Sequence, residues 1–157
     1  MAVIGFIGMG NMGYAIMKGL LKVYSKEDIL FTDVNKARME QVGEETGVRY
    51  VESNGECANQ VKYLVLAVKP QYYDGVLDQI RNIVTREHVI ISIAPGISIE
   101  QLKKKLGVEK RIVRAMPNTP ALLGEGMTGV CYDAALFDEK ERETISTFFQ
   151  SFGKMKI

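Results

Sequence analysis

The sequence predicts an α/β fold: a doubly wound, mostly parallel sheet with helices on both faces. Three observations predict it. Short Val- and Ile-rich runs of four to six residues alternate with longer amphipathic stretches. The runs are almost continuously apolar, as strands buried on both faces of a parallel sheet are. The stretches between them are long enough for right-handed helical crossovers.

Residues 3–7 form the first apolar run. The helix predicted at 11–23 places Met12, Ile16, Leu20 and Val23 on one face, at four- and three-residue spacing. Strands are expected at 29–32, 63–68, 89–93 and 112–115, and helices at 35–46, 72–84 and 99–106. After Ala115 the texture changes. Pro117, Pro120, Gly124, Gly126 and Gly129 crowd into thirteen residues. A functional loop is expected there, because an apolar run at 127–132 resumes directly as another strand. A last amphipathic helix is expected at 138–152, with Asp138 as N-cap and Gly153 as its stop. Residues 154–157 read as a final strand. The sequence carries no internal repeat and no low-complexity tract.

A length of 157 residues allows one domain, or one domain plus a short appendage, able to bury about 70% of its unfolded surface. Twenty Lys and Arg against nineteen Asp and Glu leave a net charge of +1. So small a charge disfavours sequence-independent attraction to nucleic acid or an anionic membrane. No apolar run approaches 18 residues, and residues 1–6 lack the basic start of a signal peptide. Cys57, Cys131 and His88 are too few and too scattered for a typical zinc site, and a reducing, cytoplasmic setting is expected. His88 precedes a strand, at the end opposite any ligand, and reads as structural. The methionines, Met9, Met12, Met17, Met116 and Met127 among them, read as packing residues.

Gly8-Met9-Gly10-Asn11-Met12-Gly13 is a G-x-G-x-x-G between the first strand and its helix. The second strand ends in Asp33, twenty positions beyond Gly13. This is the full context of a Rossmann-type dinucleotide fingerprint. Gly8 allows the tight turn, Gly10 lets a pyrophosphate approach the backbone, and Gly13 lets helix and strand pack closely. The helix start offers free N–H groups and a partial positive charge to phosphates. Asp33 has two readings. Its carboxylate can accept the ribose hydroxyls and favour NAD(H), with Asn35, Lys36 and Arg38 able to offset its repulsion of a 2′-phosphate. Otherwise it caps the next helix. The cofactor therefore stays open between NADP(H) and NAD(H). The turns after the later strands complete the expected site: Ala67-Val68-Lys69-Pro70-Gln71, Ser92-Ile93-Ala94-Pro95-Gly96 and Met116-Pro117-Asn118-Thr119-Pro120.

Taken with Arg114-Ala115-Met116-Pro117-Asn118-Thr119-Pro120-Ala121, these motifs make the sequence resemble pyrroline-5-carboxylate reductase along its whole length. Ser53-Asn54 matches as well. Pro95 departs from the pattern, standing where another small residue is usual. The resemblance implies an NAD(P)H-dependent oxidoreductase of proline biosynthesis that reduces 1-pyrroline-5-carboxylate, a small-molecule substrate. It implies cofactor contacts from Ile7, Gly8, Met9, Gly10, Asn11, Met12 and Gly13. Further contacts are implied from Asp33, Asn54, Ala67, Val68, Lys69, Pro70, Ile93, Ala94 and Pro95. Asn118 and Thr119 are implied at the substrate or nicotinamide. The family carries a second, helical domain that dimerises and completes the substrate pocket. Residues 1–157 are therefore expected to be the dinucleotide-binding domain alone, weakly active or inactive as a fragment, of a homo-oligomeric enzyme. A protonated imine is already electrophilic, so no strong protein acid is needed. Lys69 could serve as proton donor or only line the cofactor, and no catalytic residue is assigned. The alternatives are a β-hydroxyacid dehydrogenase-type enzyme, which shares the glycine turn, and a non-catalytic dinucleotide sensor.

Overall fold

The apolar runs pair side by side, and their alternating side chains serve two cores. The computed structural model describes residues 3–94, 96–107, 110–117, 127–150 and 154–156. The strands are β1 (Ile4–Ile7), β2 (Ile29–Thr32), β3 (Arg49–Tyr50), β4 (Tyr63–Leu66), β5 (Val89–Ser92), β6 (Arg111–Pro117), β7 (Met127–Cys131) and β8 (Lys154–Lys156). The helices are α1 (Asn11–Leu20), α2 (Lys36–Thr46), α3 (Asn54–Asn59), α4 (Tyr73–Ile80), α5 (Ile99–Leu106) and α6 (Glu139–Gln150). Among the described residues the sheet order is β3-β2-β1-β4-β5-β6-β7-β8. β1 to β6 run parallel, β7 is antiparallel to β6, and β8 runs parallel to β7. The predicted doubly wound, mostly parallel sheet is present.

Period-two alternation splits the strands between the faces. Phe6, Phe31, Val65, Ile91 and Val113 join Ile16, Leu20 and Phe148 in one core. Ile7, Leu30, Leu64, Leu66, Ile90 and Ile112 join Leu77, Ile80 and Leu102 in the other. α1, α2 and α6 thus cover one face, and α3, α4 and α5 the other. The sheet is buried on both sides, which is why the strands carry so few polar residues.

Several boundaries differ from expectation. β3 and α3 went unpredicted. β3 is two residues long and α3 six, both below the length at which periodicity is legible. A local signal for α3 existed nonetheless: Ser53 Oγ accepts the Glu56 N–H at 3.1 Å, the S-x-x-E start pattern. The helix predicted at 72–84 is preceded by a 3₁₀ turn, Pro70–Tyr72, and ends earlier, at Ile80. The helix predicted at 11–23 stops at Leu20. Asp138 caps α6 as expected, accepting the Glu141 N–H at 2.7 Å. The proposed stop at Gly153 lies outside the described residues.

Candidate dinucleotide site

The sheet register aligns the ends of the strands that build the site. Thr32 pairs with Ile7, Ile7 with Leu66, and Leu66 with Ser92. Each next residue therefore stands in one row above the sheet: Asp33, Gly8, Ala67 and Ile93. The strand order reverses between β1 and β4, so the crevice of a doubly wound sheet opens here. Backbone bonds lock the row. The Gly8 N–H donates to Thr32 O at 2.9 Å, and the Ala67 N–H to Ile7 O at 2.9 Å.

The glycine turn has the geometry its sequence promised. Gly8 has φ +100°, a region that L side chains rarely adopt, and a Cβ there would lie 2.8 Å from the Ala67 carbonyl. A Cβ on Gly13 would lie 2.8 Å from Gly8 O, so the helix can only approach this closely without one. Gly10 is the opposite case. It is exposed, and a Cβ there would meet nothing within 4 Å, so it faces open space. Gly10 is also the N-cap of α1, with no side-chain cap and no acidic residue in the first turn. The first N–H groups of α1, from Asn11, Met12 and Gly13, thus have no side-chain cap.

Asp33 and Arg38 grip the turn from the β2 side. Asp33 Oδ2 accepts the Met9 N–H at 2.6 Å, and Oδ1 accepts the Asn35 N–H at 2.8 Å. Arg38 Nε donates to Met9 O at 2.7 Å, so both ends of residue 9 are held by α2 and the segment before it. The Met9 side chain is buried in the core. The cap of α2 is Asn35, whose side chain accepts the Arg38 N–H, and not Asp33. The reading of Asp33 as a helix cap is thereby corrected: its carboxylate bonds the turn on one side and the Asn35 amide on the other.

A cleft of about 320 Å³ continues from the turn, lined by Ile7, Gly8, Asp33, Val34, Asn54, Val68, Tyr72, Gly75, Val76 and Gln79. Val34 is fully exposed and Tyr72 is 59% exposed, so both present apolar surface at the cleft. Asn54 Nδ2 donates to Gln79 Oε1 at 2.5 Å across the mouth. Val34, Tyr72, Val76 and Gln79 were not anticipated. The four-residue spacing of Tyr72 and Val76, beside the buried stripe of Tyr73, Leu77 and Ile80, was the available signal. Lys69 and Pro70 are exposed at the start of the 3₁₀ turn, and Ile93 and Ala94 are buried at the end of β5. Pro95, Asn118 and Thr119 lie outside the described residues.

Other reactive groups stand apart. His88 Nε2 lies 2.8 Å from Ala58 O, while Nδ1 faces the Thr85 N–H, which assigns the ring proton to Nε2. It sits at the start of β5, away from the crevice. Burial pushes the Cys57 thiol up to about 12, leaving it an unreactive packing group.

A family profile described as "NADP oxidoreductase coenzyme F420-dependent" matches residues 3–96. A pyrroline-5-carboxylate reductase from Escherichia coli is 34% identical over 98% of the chain. The chain spans 58% of that protein's length. A solved pyrroline-5-carboxylate reductase from Coxiella burnetii superposes with a TM-score of 0.91 at 31% identity, over 98% of this chain and 57% of that one. The Plasmodium falciparum pyrroline carboxylate reductase, solved with NADP bound, gives 0.84 at 30% identity, over 99% of this chain and 56% of that one. The resemblance drawn from the sequence motifs therefore stands. With well over half of its residues inside the matched profile, the chain belongs to the family described as NADP oxidoreductase coenzyme F420-dependent.

Proposed function

We propose that residues 1–157 form the dinucleotide-binding domain of a pyrroline-5-carboxylate reductase that uses NADP(H) or NAD(H) to make proline. The observation that carries this reading is the uncapped start of α1 at Gly10, open to solvent beside the apolar cleft. Its residues fit the group: a diphosphate needs free N–H donors, and an adenine needs an apolar slot. The similarity to reductases over nearly the whole chain supports the same substrate.

When bound, a reduced nicotinamide supplies a hydride to the C=N carbon of 1-pyrroline-5-carboxylate, whose nitrogen is already protonated. The chain's own work is binding and orientation. Asn11, Met12 and Gly13 offer backbone N–H groups to phosphate oxygens. Asp33 and Arg38 fix the Met9 peptide beneath them. Val34, Tyr72 and Val76 flank the adenosine side, and Asn54 faces its ribose. We assign Ala67, Val68, Lys69, Pro70, Ile93, Ala94 and Pro95 to the nicotinamide side, and the resemblance gives Asn118 and Thr119 to the nicotinamide or the imine. A helical domain beyond these residues would complete the substrate pocket and join copies into a homo-oligomer.

A small-molecule substrate and a cytoplasmic setting accompany this reading. No helix among the described residues is long and apolar enough to cross a membrane. The test is turnover by a form of the enzyme that includes both domains. Oxidation of NADPH or NADH with pyrroline-5-carboxylate, but not with hydroxyacid or keto-acid partners, supports the proposal. Cofactor binding without turnover of any of these substrates refutes it.

A further inference from the structure

Tyr73 opens α4 and is 3% exposed, so its hydroxyl is carried into the core beneath the strand ends. The hydroxyl donates to Leu66 O at 3.0 Å and lies 2.9 Å from Ser92 Oγ. A phenol has one proton to give. With that proton on Leu66 O, the Ser92 hydroxyl is the donor to Tyr73 Oη. Leu66 and Ser92 are register partners, the last residues of β4 and β5. Ala67-Val68 follows the first and Ile93-Ala94 the second. One buried hydroxyl therefore joins the two segments assigned above to the nicotinamide side.

A phenylalanine would fill the same space without carrying a polar atom into the core. Burial pushes the Tyr73 phenol up to about 12, against the opposing effect of Ser92 and of the Ala94 and Ile93 amides. The group thus stays protonated at any working pH and remains a donor. Ser92 is itself fully buried, one of three buried polar or charged side chains among the described residues. A paired hydroxyl in such a place contributes little net stability but fixes direction strongly.

Resting on the dinucleotide reading, we propose that Tyr73 is a positioning residue for the nicotinamide half of the site, acting with Ser92 to hold the ends of β4 and β5 in register. Its reach is set by its bonds: the hydroxyl's partners Leu66 and Ser92 lie at the ends of β4 and β5, and neither is among Val34, Tyr72 and Val76, the residues assigned to the adenosine side. Losing the hydroxyl should therefore weaken the grip on the nicotinamide and leave the adenosine half alone.

The experiment compares whole cofactors with their nicotinamide-free parts. NADPH is paired with 2′-phospho-ADP-ribose, and NADH with ADP-ribose, on wild type, Tyr73→Phe, Ser92→Ala and the double variant. Tyr73→Phe should weaken the preferred dinucleotide about tenfold, the effect of one lost buried hydrogen bond, and leave its fragment within about twofold. Ser92→Ala should act in the same direction, and the double variant should lose less than the sum of the two. The fluorescence of the bound reduced nicotinamide should shift toward its free-solution spectrum. Equal losses for dinucleotide and fragment mark a general packing role and overturn the proposal. So does an unchanged Tyr73→Phe, or a wild type that binds dinucleotide and fragment equally. A wild type that binds none of the four ligands overturns the dinucleotide reading itself.

Discussion

Asp33 Oδ2 accepts the N–H of Met9 at 2.6 Å, across 24 positions of sequence. Its other oxygen accepts the Asn35 N–H. The carboxylate that a fingerprint reading gives to the ribose is thus already holding the glycine turn. Asp33→Ala would leave the Met9 N–H without its partner and loosen that turn. NADPH and NADH binding should weaken together, each by about tenfold. Calorimetric titration of both cofactors checks this. A loss confined to NADH would instead make Asp33 chiefly a ribose ligand.

Gly10 and Gly13 should separate binding from folding. Gly10→Val places a branched side chain in the open space where phosphate is expected, and no protein atom opposes it within 4 Å. Cofactor binding should fall below detection, while stability changes by less than about 1 kcal/mol. Gly13→Ala drives a methyl to 2.8 Å from Gly8 O, a backbone atom that cannot step aside. It should cost about 1–3 kcal/mol of stability. Urea denaturation beside NADPH titration distinguishes the two, and equal destabilisation by both would refute the assignment of Gly10.

Glu141 should shape the acid limb of stability. It is 4% exposed at the sheet end opposite the crevice. Arg111 lies 2.6 Å from one oxygen and Lys62 2.9 Å from the other. The Arg111 guanidinium, with the Asp138 N–H and Lys62, holds the Glu141 carboxyl at about 2, below its ordinary 4.5. A lowered folded value contributes stability that is present above 4.5 and is lost as pH falls through about 2. Glu141→Gln should cost about 3 kcal/mol at neutral pH and flatten the loss of stability below pH 4.5. Denaturation curves at pH 7, 4 and 3 measure both, and parallel slopes for variant and wild type would contradict the assignment.

The 157-residue chain by itself should bind a dinucleotide but make little proline. It carries the cofactor turn, whereas the proposed substrate pocket needs a second domain. A spectrophotometric assay of the isolated chain with NADPH and pyrroline-5-carboxylate checks this. Robust turnover would show the pocket to be complete within these residues.

Much of the sheet was legible because its strands are buried on both faces, which removes polar residues and leaves clear runs such as Ile29–Thr32. The glycine turn was legible for a different reason. Two of its constraints are local: the positive φ of Gly8, and the approach of Gly13 to Gly8 O. The bonds of Asp33 and Tyr73 were not legible. Each depends on which atoms the register brings together, Met9 with Asp33 and Leu66 with Ser92, and no periodicity encodes that. Gln79 was missed as well: its bond to Asn54 joins α4 to α3, and no sequence pattern encodes which side chains of two helices meet.

The central claim is that the turn from β1 into α1 cradles a diphosphate. Titrating the chain with NADPH and NADH, beside Gly10→Val as control, tests it most directly. Saturable binding of at least one cofactor by the wild type, abolished in a folded Gly10→Val, is the expected result. No binding by the wild type, or equal binding by the variant, would contradict it.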